Sequence, residues 1–358
     1  MERDQATKFI YDLLRLLVGK KGSDLFITVG FPPAIKLDGR MTPVSQQPLS
    51  AQHTAELVRS VMNDRQAAEF ESTKECQFAI SPANIGRFRV SAFVQMGNIG
   101  MVLRTINSKI PTFEELNLPP TLKDVAMTKR GLVIMVGATG SGKSTSLAAM
   151  INHRNENASD HILSVEDPIE FLHPNKKSLV NQREVGLDTK SFHRALRSAM
   201  RAAPDVILIG EIRDRESMEY AITFAGTGHL CLATLHANNA SETLDRIINM
   251  FPRDQHSQIF LDLSQYLKAI LSQRLVMGTS GKRCAAIEVL LNTPHVQELI
   301  KKGDVVGVKE ALIRSGEKGM QSFDVALYQL CQQGKISMEE ALANADSRTN
   351  LEAKINFG

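Results

Sequence analysis

The chain has 358 residues, 43% of them hydrophobic and 23% charged, with a formal net charge of +3. That length calls for two domains with substantial cores, and that balance excludes a disordered or fibrous chain. The charge is spread without a dense Lys/Arg block, which gives no licence for a nucleic-acid partner, and Cys76, Cys231, Cys284 and Cys331 form no CxxC pair, which points away from a zinc ribbon or a disulfide framework and toward a reducing compartment.

The opening MERDQATK is charged and precedes only a short amphipathic run, so it does not read as a signal peptide. Residues 9–18, FIYDLLRLLV, carry apolar side chains at helical spacing. Gly22 then leads into a strand expected over Leu25 to Val29, and a helix is expected from about Ala51 to Phe70. In GRFRVSAFV, residues 86–94, strict alternation puts Phe88, Val90 and Ala92 on a core face and Arg87 and Arg89 on the other. The pattern is that of a small mixed α/β domain over residues 1–106.

Residues 107–121, NSKIPTFEELNLPPT, contain three prolines and little periodicity, and are read as the domain linker. A second domain, residues 122–358, follows. Short continuously apolar runs at 132–136, 162–165, 206–209 and 230–235 alternate with helical stretches, the signature of a parallel sheet buried on both faces. From about Gln265 the chain is expected to be mainly helical, with a last dozen residues polar enough to fray. No stretch approaches the roughly 18 apolar residues of a membrane span, so a role at a membrane would come through docking.

The strongest chemical signal is the GxxxxGK[ST] match Gly137-Ala138-Thr139-Gly140-Ser141-Gly142-Lys143-Ser144, with Thr145 next, lying between a strand and a helix. Glycines let successive N–H groups surround phosphate oxygens, and the helix N-terminus adds positive potential. Lys143 would reach the β- and γ-phosphates and Ser144 would ligate Mg²⁺. In PDVILIGE, Glu211 ends a buried strand at the edge that faces the nucleotide crevice, placed to handle the attacking water or to act through Mg²⁺. The alternative is a solvated ion-pair turn of Glu211 with Arg213 and Asp214. Glu166 and Asp167 end another buried strand, where they would position Mg²⁺ or water or else cap the next turn. His229 and His236 stand at the two ends of a further strand and cannot both ligate one ion. The stripe Arg194, Arg197, Arg201 lies opposite Phe192, Leu196 and Met200, either a subunit contact or a solvated face.

The order GATGSGKS, VEDPIEF, PDVILIGEIRD and TGHLCLATLHAN resembles the Walker A, Asp box, Walker B and His box of the secretion ATPase superfamily, in its type IV pilus retraction branch, and the resemblance covers nearly the whole chain. GSDLFIT and GRFRVSAF look like that branch's N-terminal domain. His295-Val-Gln-Glu-Leu-Ile-Lys-Lys stands where the principal enzyme would carry an AIRNLIRE-like helix, and with GMQSFD and ISMEEALANADS the chain looks closer to the accessory retraction ATPases. The resemblance implies a PAS-like N-terminal domain and a RecA-like P-loop ATPase domain with C-terminal helices. It implies Glu211 as the Walker B catalytic glutamate, Glu166 and Asp167 as Asp-box acids, and roles for His229 and His236 in sensing the γ-phosphate and coupling it to subunit contacts. It further implies a homo-hexamer with nucleotide between the two domains and Arg87, Arg89 and Arg104 as arginine fingers. ATP with Mg²⁺, a principal retraction ATPase, an inner-membrane pilus platform protein and a cytoplasmic location docked at the inner membrane complete that expectation. The alternatives are a pilus-assembly or type II secretion ATPase, which commonly has a CxxC…CxxC insertion absent here, a regulatory subunit that hydrolyses little, and a DNA-transport ATPase.

Overall fold

A computed structural model describes residues 2–37, 39–106, 109–315 and 317–357, and the chain divides into two compact units, residues 1–108 and 109–358. The N-terminal unit runs α1 (Arg3–Gly19), β1 (Asp24–Ile27), β2 (Ala34–Leu37), β3 (Arg40–Pro43), α2 (Ala51–Ser60), α3 (Asp64–Thr73), β4 (Glu75–Ile80), β5 (Arg87–Gln95) and β6 (Asn98–Ile106). Among the described residues its strands form an antiparallel sheet in the order β3-β2-β1-β6-β5-β4. Ile10, Leu13, Leu14 and Leu17 form the buried stripe of α1, and Phe88, Val90 and Leu103 are buried on the sheet. The single helix expected over 51–70 is two, because Asn63 caps a new one: its side chain accepts from Gln66 N while the Gln66 side chain accepts from Asn63 N.

In the C-terminal unit α4 (Phe113–Leu116) and α5 (Thr121–Ala126) precede β7 (Gly131–Val136), α6 (Lys143–Asn157), β8 (His161–Glu166), β9 (Leu179–Glu184), α7 (Phe192–Ala199) and β10 (Val206–Ile209). Then come α8 (Arg215–Gly226), β11 (Leu230–Leu235), α9 (Ala240–Asn249), α10 (His256–Tyr266), β12 (Leu267–Met277) and β13 (Arg283–Leu291). The helices α11 (Pro294–Lys301), α12 (Val305–Arg314), α13 (Phe323–Gln332), α14 (Met338–Ala343) and α15 (Arg348–Phe357) end the chain. The strands form one sheet, β13-β12-β7-β11-β10-β8-β9, parallel except for β13. Every residue of β7, β10 and β11 is buried. Alternate residues serve opposite faces: Leu132, Ile134 and Val136 join a core with α7 to α10, whereas Val133 and Met135 join one with α5 and α6.

Two expectations need correction. Where helix was expected from about Gln265, β12 and β13 instead complete the sheet; Leu267, Ile270 and Leu271 fit a helical spacing as well as a buried strand, which periodicity alone cannot separate. Within the polar C-terminus, Arg348–Phe357 forms helix α15, which buries Leu351 against α13 and α14. Met200 lies past the end of α7 and is exposed, so it does not extend the buried face formed by Leu196. Of the segment read as a linker, Asn107 and Ser108 lie outside the described residues, and Phe113 in α4 is buried against the α6 side of the sheet.

Candidate nucleotide-binding site

The C-terminal ends of β7, β8, β10 and β11 meet at one edge of the parallel sheet, where an open α/β fold binds its ligands. A cavity of about 800 Å³ opens there, lined by the loop after β7, the first turns of α6, and the segments after β8, β10 and β11. The loop is the glycine-rich segment. Gly137 has φ +152°, and a Cβ there would stand 2.5 Å from both the Gln273 carbonyl oxygen and Ser141 Oγ, so no other residue fits. α6 starts from Gly142 without a side-chain cap, which leaves its first amides to an anion. Lys143 is 9% exposed, and its ammonium donates to the carbonyls of Gly137 (2.7 Å) and Ala138 (2.9 Å). Burial lowers its pKa, an effect opposed by the charges of Glu211 and Glu170.

The acidic groups are tied into one network. Glu211, 24% exposed, meets His236 Nε2 through Oε1 at 2.9 Å and Arg213 Nε through Oε2 at 2.6 Å. Arg213 also reaches Asp167 Oδ2 at 3.1 Å, bridging the strand ends of β8 and β10. Glu166 Oε1 accepts from Ser164 Oγ (2.6 Å) and Gln182 Nε2 (3.2 Å), and burial pushes its carboxyl above the usual range. Gln182 Nε2 also donates to the Phe171 carbonyl, and Gln182 Oε1 accepts from His173 N, fixing the loop after Asp167. Thr234 Oγ1 donates to the Gly210 carbonyl, which holds the turn before Glu211. Asp214 is spoken for elsewhere: it caps α8 by accepting from Ser217 N at 2.9 Å.

Thr139, Gly140, Gly142, Lys143, Ser144, Thr145, Glu166, Asp167, Glu211 and His236 therefore line one cavity, with Gly137, Ala138 and Ser141 in the backbone of the same loop. His229 is not among the lining residues. It precedes β11 at the other end, roughly 23 Å away at strand rise, and contacts the Phe224 carbonyl and Thr227 Oγ1 through Nδ1. The two histidines thus stand at opposite ends of β11, as their spacing requires. Arg87, Arg89 and Arg104 belong to the N-terminal unit. There Arg89 and Arg104 are direct cross-strand partners, and Arg104 Nε donates at 2.8 Å to Asp24, a carboxylate only 3% exposed. Arg87 Nε is buried without a hydrogen-bond partner among the described residues.

Sequence reading missed Glu170, Gln182 and Gln273, while the ion pair of Glu211 with Arg213, weighed there as an alternative, is present at 2.6 Å. Arg213 was visible beside Glu211, but its second contact, 46 positions away, was not. A hard cation bound together with phosphates needs only one or two protein oxygens and keeps waters. The hydroxyl of Ser144 with the carboxylates of Glu166 and Glu211 fits such an ion, and among the described residues no group of three His, Cys, Asp or Glu side chains could hold a metal alone.

Comparison with known proteins follows the same line. The family described as Type II/IV secretion system protein matches over residues 7–319. The chain is 59% identical to the Type IV pilus ATPase PilU of Pseudomonas aeruginosa, over 97% of this chain and 91% of that protein. It is 43% identical to the Type IV pilus retractation ATPase PilT of the same organism, over 96% of this chain and 99% of that protein. A crystal structure of the pilus retraction motor PilT with bound ADP superposes with a TM-score of 0.88 at 38% identity, covering 95% of this chain and 98% of the other.

Proposed function

Because the chain belongs to the type II/IV secretion system protein family, we propose that it is an ATP-hydrolysing motor that powers type IV pilus retraction, as the accessory partner of a principal retraction ATPase. The observation that carries this reading is the convergence in one cavity of the P-loop, Lys143 and a Glu211 carboxylate oriented by both His236 and Arg213. A P-loop alone serves many reactions; a carboxylate held at the adjacent strand end gives it a group for activating water.

In this mechanism the amides of residues 138–145 and the Lys143 ammonium bind and orient the phosphates. Ser144, Glu166 and Glu211 would hold Mg²⁺, directly or through water, and the ion neutralises charge on the phosphate oxygens when bound. Each Glu211 oxygen keeps a lone pair beyond its contact to His236 or Arg213, so the carboxylate accepts the proton of the attacking water while those two groups hold its plane. Asp167 holds Arg213 from the other side. Arg87, Arg89 and Arg104 enter as arginine fingers that would stabilise charge in the transition state, a role that rests on the family resemblance. So do the six-membered ring, the platform-protein partner and the cytoplasmic placement at the inner membrane. Among the described residues no helix is long and apolar enough to cross a membrane.

The test is complementation. In a twitching bacterium lacking its accessory retraction ATPase, this chain should restore retraction against load and Lys143→Ala should not. Equal rescue by the variant, or none by the native chain, would overturn the proposal. Light scattering of the purified protein in ATP should give six times the chain mass.

A further inference from the structure

The phosphate loop is held from behind by a side chain 132 residues from Ser141. Gln273, on β12, is 2% exposed. Its Nε2 donates to the Ser141 carbonyl at 2.8 Å and its Oε1 accepts from Ser146 Oγ at 2.7 Å, both contacts buried. The Ser141 carbonyl can only accept, so the amide nitrogen must face it and the amide oxygen is left for the Ser146 hydroxyl. The placement follows from the sheet: Ser272 pairs with Val136, the last residue of β7, so Gln273 stands where the chain leaves the sheet to form the loop.

The consequence is stereochemical. In a planar trans peptide the C=O and N–H point in opposite directions. Drawing the Ser141 carbonyl back toward β12 turns the Gly142 N–H the other way, out of the loop, where a phosphate oxygen would accept from it. The Ser146 contact ties the first turn of α6 to the same amide, so loop and helix N-terminus are held in one arrangement. Gly142 has φ +85°, and a Cβ there would stand 2.8 Å from Gln273 Nε2, so this glycine makes room for the side chain behind it as well as for the turn.

We propose that Gln273 is a positioning residue of the nucleotide site: acting through the Ser141–Gly142 peptide, it presets the loop's amide donors for phosphate and so sets nucleotide affinity. The proposal rests on the nucleotide reading given above. It touches no reacting atom, so its effect belongs to binding of ground state and transition state alike.

The test uses the full chain with Gln273→Met, which keeps length and removes both contacts without adding charge, and Ser146→Ala, which removes one. A fluorescent ADP analogue with Mg²⁺ gives Kd, steady-state hydrolysis gives KM and kcat, and urea unfolding without nucleotide gives stability. Gln273→Met should raise Kd and KM about 10-fold while kcat changes less than about 3-fold. Ser146→Ala should move Kd and KM in the same direction by less. A native Kd and KM in Gln273→Met overturns the proposal; if that variant does not fold, a native Kd in Ser146→Ala overturns it. Native protein that binds no ADP sinks the nucleotide reading and this inference together, whereas binding by the native chain and both variants alike sinks only the inference.

Discussion

Replacing Glu211 by Gln removes a charge while leaving nearly the same shape, and the structure says what should follow. The two Glu211 oxygens have separate donors, His236 Nε2 at 2.9 Å and Arg213 Nε at 2.6 Å. A glutamine can keep both by turning its oxygen to Arg213 and its nitrogen to His236 Nε2, which then accepts where it donated before, so stability should change by less than about 1 kcal/mol. Hydrolysis should not be spared. Loss of a positioned proton acceptor slows a reaction about 10²- to 10⁴-fold, or about 3–5 kcal/mol of barrier. ADP affinity near neutral pH should stay within about 3-fold, since the phosphates are held by the loop amides and Lys143. Because the Glu211 charge opposes the desolvation of Lys143, affinity in the variant should also begin to fall at a lower alkaline pH than in the native protein. Single-turnover hydrolysis, an ADP titration and a urea midpoint measure the three quantities. Hydrolysis reduced less than about 3-fold, or binding and stability lost along with it, would refute the reasoning.

Two further predictions concern stability. Arg274 on β12 lies over the Phe323 ring at 3.8 Å, donates to the Asn344 carbonyl and pairs with Asp346 at 2.7 Å, so Arg274→Ala should cost about 2 kcal/mol; an unchanged urea midpoint would contradict this anchoring of the C-terminal helices. Burial lowers the His173 pKa from 6.5 to about 4. Between those values the unfolded chain takes a proton that the folded one refuses, so this contribution is intact above pH 6.5 and is lost as pH falls toward 4. From pH 7 to pH 5 the native protein should lose about 2 kcal/mol more than His173→Gln; parallel losses would show that His173 is not held neutral.

The parts legible in sequence were those in which local pattern and mechanism coincide. The loop from Gly137 to Ser144 is contiguous, and β7, β10 and β11 are buried on both faces, so they read as unbroken apolar runs. β9, LVNQRE, was not foreseen because it lies at the sheet edge and buries only part of its length. β12 reads as helix in sequence because its apolar residues satisfy both periods, and the same ambiguity hides that Gln273 faces the loop. Glu211 and His236 were readable from their strand ends, whereas the Arg213 bridge and the Gln182 support depend on elements brought together only by the fold. That His229 and His236 stand at opposite ends of one strand was readable from their seven-residue spacing, and β11 separates them so.

Steady-state ATP hydrolysis by the purified full-length protein, measured with and without Mg²⁺ beside Lys143→Ala, tests the central claim most directly. Mg²⁺-dependent turnover that the variant loses is the predicted result; turnover equal in both proteins, or none in either, would contradict it.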